Sequence, residues 1–391
     1  MNITLLYDFL LEEGGLERVM ATQARWLAEK NKVKVSFATV NQRLLYLFKD
    51  VPVGEHNWLW KNPTMRIIST FLNKNVLEES KEAELFVSHS FICTRLAHEM
   101  KERHKIPYVV YLHHPPNFLY FKGKRKEWGF DAGRKVAMAA GILFGPVLRS
   151  IDKKVVRAAD KIFVNSYYTK RGVEKIYNID AQVIYPTLSK IFRMKEKKET
   201  GYVLEKYNLK KFIFCTGRLI PDKKYEWLVE ALSRLRDGDV DLVIAGRIGK
   251  AYEEALRERA IHLGCLQRIK FLGYVLDEDL VALYNEAKVF VFPAPDEDFG
   301  LVPVEAMACG CPVVAWADNA GPSETVIEGI SGYLAKPYDC GDFAEKIEQV
   351  LKEDLKERKK SEIVKSVERF KEEVQMKVFV EEIEKVKKNF I

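Results

Sequence analysis

The sequence predicts an α/β protein made of two domains, each a parallel sheet covered by helices. Three observations carry this. The 391 residues exceed one typical domain. Short apolar runs bounded by turn residues alternate with longer amphipathic stretches, as β-α-β units require. The alternation occurs twice, and between the two occurrences, near 186–204, lies the charged run KEKKETG, which has no apolar face. The expected architecture is therefore a pair of Rossmann-like domains facing a central cleft. Their bounds are 1–190 and 191–370, with a helix at 371–391 that returns to the first domain.

In the first half the expected strands are 3–7, 33–38, 85–89, 108–112, 161–165 and 182–185, with helices at 16–29 and 147–159. In the second half they are 212–216, 241–245, 270–274, 289–292, 313–315 and 332–335, with helices at 225–236, 252–263, 277–287 and 340–356. Beyond 356 the chain is highly charged and helix-favouring, too polar for a third core, so it is read as amphipathic helices packed on the body.

Composition is that of an ordinary soluble protein, with 47% hydrophobic and 30% charged residues. A net charge of +7 is modest for this length and favours anionic ligands without pointing to nucleic acid. The six cysteines form no C-x-x-C pair and sit mostly in apolar runs, as reduced thiols of a cytoplasmic protein do. Cys309 and Cys311 lack a second pair that would complete a metal site. The N-terminus has no basic region and reads as a first strand. The longest uncharged apolar stretch, 136–148, is too short and too glycine-broken to span a bilayer.

The most informative segment is FPAPDEDFGLVPVEAMACGCPVVA, 292–315, in which seven residues separate Glu297 from Glu305. Pro293 and Pro295 end a buried strand, Gly300 allows close backbone approach, Pro303 suits a first helical position and Gly310 closes a short helix. One carboxylate then lies on a loop and the other in a helix. The N–H groups of Gly300 and Leu301 face an anion where the helix dipole favours negative charge. A diphosphate fits, with hydroxyl-rich groups on either side for the glutamates.

Arg218 and Lys223 lie just past the strand at 212–216, five residues apart. A guanidinium fork and a compact ammonium together hold phosphate oxygens and stabilise charge growing on a leaving diphosphate. Taken alone the pair is an ordinary surface loop; its similar setting to the two-glutamate segment favours the ligand reading. Gly14 and Gly15 place bare amides at a helix start, where a phosphate or sugar can dock, though a double glycine is also simply a tight turn. G-x-G-x-x-G and G-x-x-x-x-G-K-[ST] are both absent, against a dinucleotide cofactor or a nucleoside triphosphatase. His113 and His114 end the strand at 108–112 where a cleft is expected, which places His113 beside a reacting sugar. His89, at another strand end, is a weaker candidate. The stretch 118–157 interleaves ten cations with aromatic residues. It reads equally as a membrane-interface segment or as a solvated acceptor loop and helix.

These residues resemble the retaining glycosyltransferases of the GT-B fold, family 4. The similarity runs from Gly14-Gly15 to Leu334 and is strongest in EDFGLVPVEAMACGCPVVA, which matches that family's E-x7-E segment. The resemblance implies that Glu297 sits by the donor sugar and Glu305 binds the nucleotide ribose. Arg218 and Lys223 would hold the diphosphate, and His113 would lie near the transferred sugar. The implied donor-binding set is Gly14, Gly15, Arg218, Lys223, Glu297, Phe299, Gly300, Leu301 and Glu305; Glu297, His113, Arg218 and Lys223 carry catalysis. Lys224 departs from the pattern, since many members have glycine there. YLHHPPNFLY and GRLIPDKK are most similar to mannosyltransferases that use GDP-mannose. The family also implies no cofactor and no metal, in keeping with the missing Asp-x-Asp, and front-face attack in which the leaving diphosphate helps deprotonate the acceptor.

The expected function is thus transfer of a hexose, mannose from GDP-mannose, to a glycan or lipid-linked acceptor. It would take place in the cytoplasm or at the cytoplasmic membrane face, without nucleic acid. The alternatives are a UDP-sugar-dependent transferase, a nucleotide-sugar epimerase of the same architecture, which would form product from donor alone, and a non-enzymatic nucleotide-sugar scaffold.

Overall fold

Strands form where the sequence is continuously apolar, because a parallel strand covered on both faces has no solvent side to mark with polar residues. Leu85–Ser88 and Tyr108–Leu112 are buried at every position. The computed structural model describes residues 1–11, 14–55, 81–120 and 144–388. The chain forms two units, Met1–Thr187 together with Glu373–Ile391, and Leu188–Glu372.

In the first unit β1 (Asn2–Leu10), β2 (Lys32–Val40), β3 (Val53–Glu55), β4 (Leu85–Ser88), β5 (Tyr108–Leu112), β6 (Lys161–Val164) and β7 (Gln182–Val183) form one sheet in the order β3-β2-β1-β4-β5-β6-β7. Every pairing is parallel. Strand order reverses between β1 and β4, the place where open α/β sheets leave a crevice at their strands' carboxyl ends. Helix α1 (Gly15–Ala28) follows β1, and α2 (Phe91–His104) follows β4. The helix Glu372–Lys388 buries Met376, Phe379, Ile383 and Val386 in this unit's core. Lys161 pairs with its Glu382 at 2.8 Å, and the Tyr185 N–H donates to Gln375 at 2.8 Å.

Helix α3 (Gly145–Arg157) carries a buried carboxylate, Asp152. Tyr120 and Tyr177 both donate to its Oδ2, at 2.6 and 2.7 Å. Desolvation outweighs these bonds and pushes its pKa up to about 6. The folded state therefore holds a proton that the unfolded chain has released, and this contribution to stability fades as pH rises from about 4 through 6. Asp152→Asn keeps one oxygen for both hydroxyls. Its stability relative to wild type should rise by roughly 2–3 kcal/mol between pH 4 and pH 7.5. Paired melts at the two pH values check this, and a pH-independent difference refutes it.

In the second unit β8 (Lys211–Thr216), β9 (Val240–Ala245), β10 (Ile269–Gly273), β11 (Val289–Val291), β12 (Val313–Trp316) and β13 (Gly332–Ala335) form a parallel sheet in the order β10-β9-β8-β11-β12-β13. The order reverses between β8 and β11. Flanking elements include α4 (Tyr225–Arg234), α5 (Asp277–Glu286) and α6 (Leu301–Ala308). All six cysteines of the chain are buried free thiols. Residues 121–143 of the basic stretch lie outside the described residues. Among those described, no helix is long and apolar enough to cross a membrane.

Candidate active site

The reversal point of the second sheet gathers the chemistry that the sequence placed on two separate segments. Past β8 the chain runs through Gly217 and an exposed Arg218, then a single 3-10 turn, Pro221–Lys223, into α4. Past β11 it runs through Pro293 to Gly300 into α6. The Lys223 ammonium meets Glu297 Oε2 in a direct ion pair, with the side chains 25% and 21% exposed. A pair this far removed from water holds its partners more firmly than a surface bridge does.

The loop carrying Glu297 is tied down from several sides. Trp316 Nε1 donates to Pro293 O at 2.7 Å, the Asp296 N–H donates to Asp318 at 3.1 Å, and the Gly321 N–H donates to Glu297 O at 2.8 Å. Gly300 caps α6 at φ 81, a left-handed conformation that suits glycine, and as a glycine it brings no side chain of its own to the helix's first turn. Leu301 is the first helical residue, so Pro303 stands third and not first as its residue type suggested; it still falls in the turn whose N–H groups have no intrahelical acceptor. Gly310, at φ 75, follows the helix end as expected. Phe299 is buried, edge-on against Phe370 with ring centres 5.4 Å apart.

Glu305 is buried on α6, where it accepts a 3.2 Å bond from Tyr284 of α5. Burial holds the Tyr284 phenol protonated by raising its pKa. Tyr284 lies 21 residues before Glu305, and no local spacing announces the contact. The buried Lys356 donates to Asn285 O and, at 2.6 Å, to Ala287 O, closing the end of α5 that positions Tyr284.

The first unit holds the remaining candidates. Gly14 is the N-cap of α1 and Gly15 its first residue, so the double glycine does open a helix. Gly14 is in extended backbone that any residue adopts. A Cβ there would come within 2.9 Å of Glu17 Oε2, the movable end of a side chain. His113 follows β5 and is buried, with His89 Nδ1 3.3 Å from its Nε2. His114 Nδ1 lies 2.9 Å from Pro115 O. Asp8, on β1, accepts from the N–H groups of Cys93 and Ile92 at the start of α2, at 3.0 and 3.4 Å. Burial raises its pKa.

Residues 13–188 match the model of Glycosyltransferase Family 4, and residues 196–365 that of Glycosyl transferases group 1. The D-inositol 3-phosphate glycosyltransferase of Mycobacterium sp. (strain KMS) is 32% identical over 364 residues, spanning 90% of this chain and 77% of that protein. The chain belongs to the group 1, family 4 glycosyltransferases. A second relative, the D-inositol 3-phosphate glycosyltransferase of Mycolicibacterium smegmatis, is 28% identical over 364 residues, 90% of this chain and 78% of its own length. Anabaena HepE in complex with UDP superposes with TM-score 0.79 at 19% identity, over 98% of this chain and all of that one. Its complex with UDP-glucose gives 0.77 at 18% identity over the same shares. These likenesses show the GT-B fold.

In the glycosyltransferase, Lys224, the position at which the resemblance leads one to expect glycine, has a backbone that suits glycine. Lys224 sits at φ 55, ψ 44, left-handed, the conformation in which glycine costs nothing. The turn after Lys223 therefore keeps the path that glycine would give, at the expense of a lysine held in a disfavoured region.

Proposed function

We propose that this glycosyltransferase moves a hexose from a nucleotide diphosphate sugar to a glycan or lipid-linked acceptor, with retention of configuration and without a metal. The observation that carries the reading is the Lys223–Glu297 pair at the β8/β11 reversal, next to the glycine-capped start of α6. In this reading Arg218 and Lys223 take the diphosphate oxygens and the Leu301 N–H adds a neutral donor. Glu305, held by Tyr284, accepts from the ribose hydroxyls, and Glu297 turns to the donor sugar. The charge that builds on the leaving diphosphate is met by cations already in place, so no enzyme nucleophile is needed. In the first unit, His113 is the candidate for contact with the reacting sugar and the Gly14-Gly15 turn for contact with a phosphate.

GDP-mannose is the donor the sequence favours. HepE, solved with UDP and UDP-glucose, supports the second reading, a UDP-hexose donor. Thermal-shift measurements with GDP-mannose, UDP-glucose and UDP-N-acetylglucosamine decide between them, since a ligand at about a hundred times its dissociation constant stabilises by roughly 2.7 kcal/mol. No shift with any of the three, and no nucleoside diphosphate release with glycan, lipid-linked or inositol phosphate acceptors, refutes the reading. A peripheral membrane role for the basic stretch has support in the described residues, where Phe144 and Val147 are each 60% exposed beside α3 and its cations. Flotation with anionic liposomes, lost on adding salt, tests it.

A further inference from the structure

Two imidazoles meet at the carboxyl ends of adjacent strands in the first unit. His89 follows β4 and His113 follows β5, and they are 3% and 9% exposed. Their nitrogens, His89 Nδ1 and His113 Nε2, are 3.3 Å apart, so one carries a proton and the other a lone pair. Both rings pack on Tyr111, with centres 5.5 and 4.8 Å away. The far nitrogen of His89, Nε2, is fully enclosed and has no hydrogen-bond partner among the described residues.

That orphaned nitrogen decides the direction of the bond. Were His113 Nε2 the donor, His89 would carry its proton on Nε2, leaving an enclosed N–H with no acceptor, the rarest kind of unsatisfied group in folded proteins. With the proton on His89 Nδ1 instead, only a lone pair is left facing apolar surroundings.

We propose that His89 is a positioning residue: its Nδ1–H donates to His113 Nε2, which fixes the one proton of His113 on Nδ1. The inference rests on the reading of His113 given above and deepens it. His113 then acts as a permanent hydrogen-bond donor toward a hydroxyl oxygen of the bound sugar, and not as a general base. Burial depresses the pKa of both rings, that of His89 to about 3. Among the described residues His89 and His114 are the titratable groups acting on His113, and both push its pKa down. A neutral ring throughout the working pH range follows.

The test is long-range ¹H–¹⁵N correlation on the full chain labelled with ¹⁵N in histidine, because bare and protonated ring nitrogens resonate far apart. The expected result is a proton on Nδ1 of both His89 and His113, unchanged from pH 5 to pH 8. A proton on His113 Nε2, or titration of His113 within that range, overturns the proposal. Kinetics supply a second arm. Asparagine presents an N–H where His89 Nδ1 stands and leucine presents none. His89→Leu should lower kcat about tenfold with KM little changed, while His89→Asn restores it to within about threefold. Equal losses in the two variants overturn the positioning role. If His89→Leu does not fold, the wild-type spectrum alone decides. A normal rate for His113→Leu alongside the expected tautomers overturns the sugar contact assigned to His113 and leaves the direction of the bond standing.

Discussion

Lys223→Ala is expected to lower kcat by about 10²–10³-fold, the usual loss when one preorganised group stabilising transition-state charge is removed. Two effects add. The ammonium no longer meets the diphosphate as charge develops on it, and Glu297, tied by its backbone to Gly321, is left without its cation beside an anionic ligand. The second effect is separable. Glu297→Gln should bind the bare nucleoside diphosphate more tightly than wild type, because the ligand no longer competes with a carboxylate for Lys223, yet turn over more slowly for want of the donor-sugar contact. Steady-state kinetics and calorimetry on the two variants check this. A Lys223→Ala enzyme within threefold of wild type would show that the pair is structural.

Gly246→Ala should cost about 3–4 kcal/mol and lower the melting midpoint of the second unit by on the order of 10 °C. Gly246 follows β9 at φ 137, and a Cβ there would stand 2.1 Å from Gly217 O and 2.5 Å from Leu219 Cδ1. Neither neighbour can yield easily. The Gly217 N–H donates to Ala245 O and the Leu219 N–H to Arg247 O, so the loop carrying Arg218 is stitched along the end of β9. The substitution therefore strains the backbone at Gly246 itself and lifts the Arg218 loop, and binding of the donor should weaken along with stability. Gly238→Ala, where nothing lies within 4 Å of the added Cβ, is the control and should change stability by no more than about 0.5 kcal/mol. Equal melts for the two variants would contradict the packing described.

All twelve strands expected from the sequence are present to within a few residues at each end, because most are short, largely apolar runs bounded by turn residues. The thirteenth, Val53–Glu55, is three residues at a sheet edge, where one β-branched residue and a glycine leave no pattern. Helix α2 leaves no clear pattern in the sequence because its polar and apolar residues do not segregate cleanly: Thr94 and His98 are buried with Ile92, Cys93 and Leu96. The two-glutamate segment was legible because prolines and glycines mark its turns. Contacts across long separations were not. Nothing near Glu305 points to Tyr284, nothing near Pro293 to Trp316, and nothing near His89, a weaker candidate at its strand end, points to His113. Such pairings are set by strand order, which no local window contains.

A crystal structure of the enzyme with bound nucleoside diphosphate, GDP or UDP, tests the central claim most directly. The account predicts the diphosphate at the β8/β11 reversal, with its oxygens about 3 Å from Lys223, Arg218 and the Leu301 N–H and the Lys223–Glu297 bond broken. A diphosphate bound elsewhere on the chain, with that ion pair intact, would contradict it.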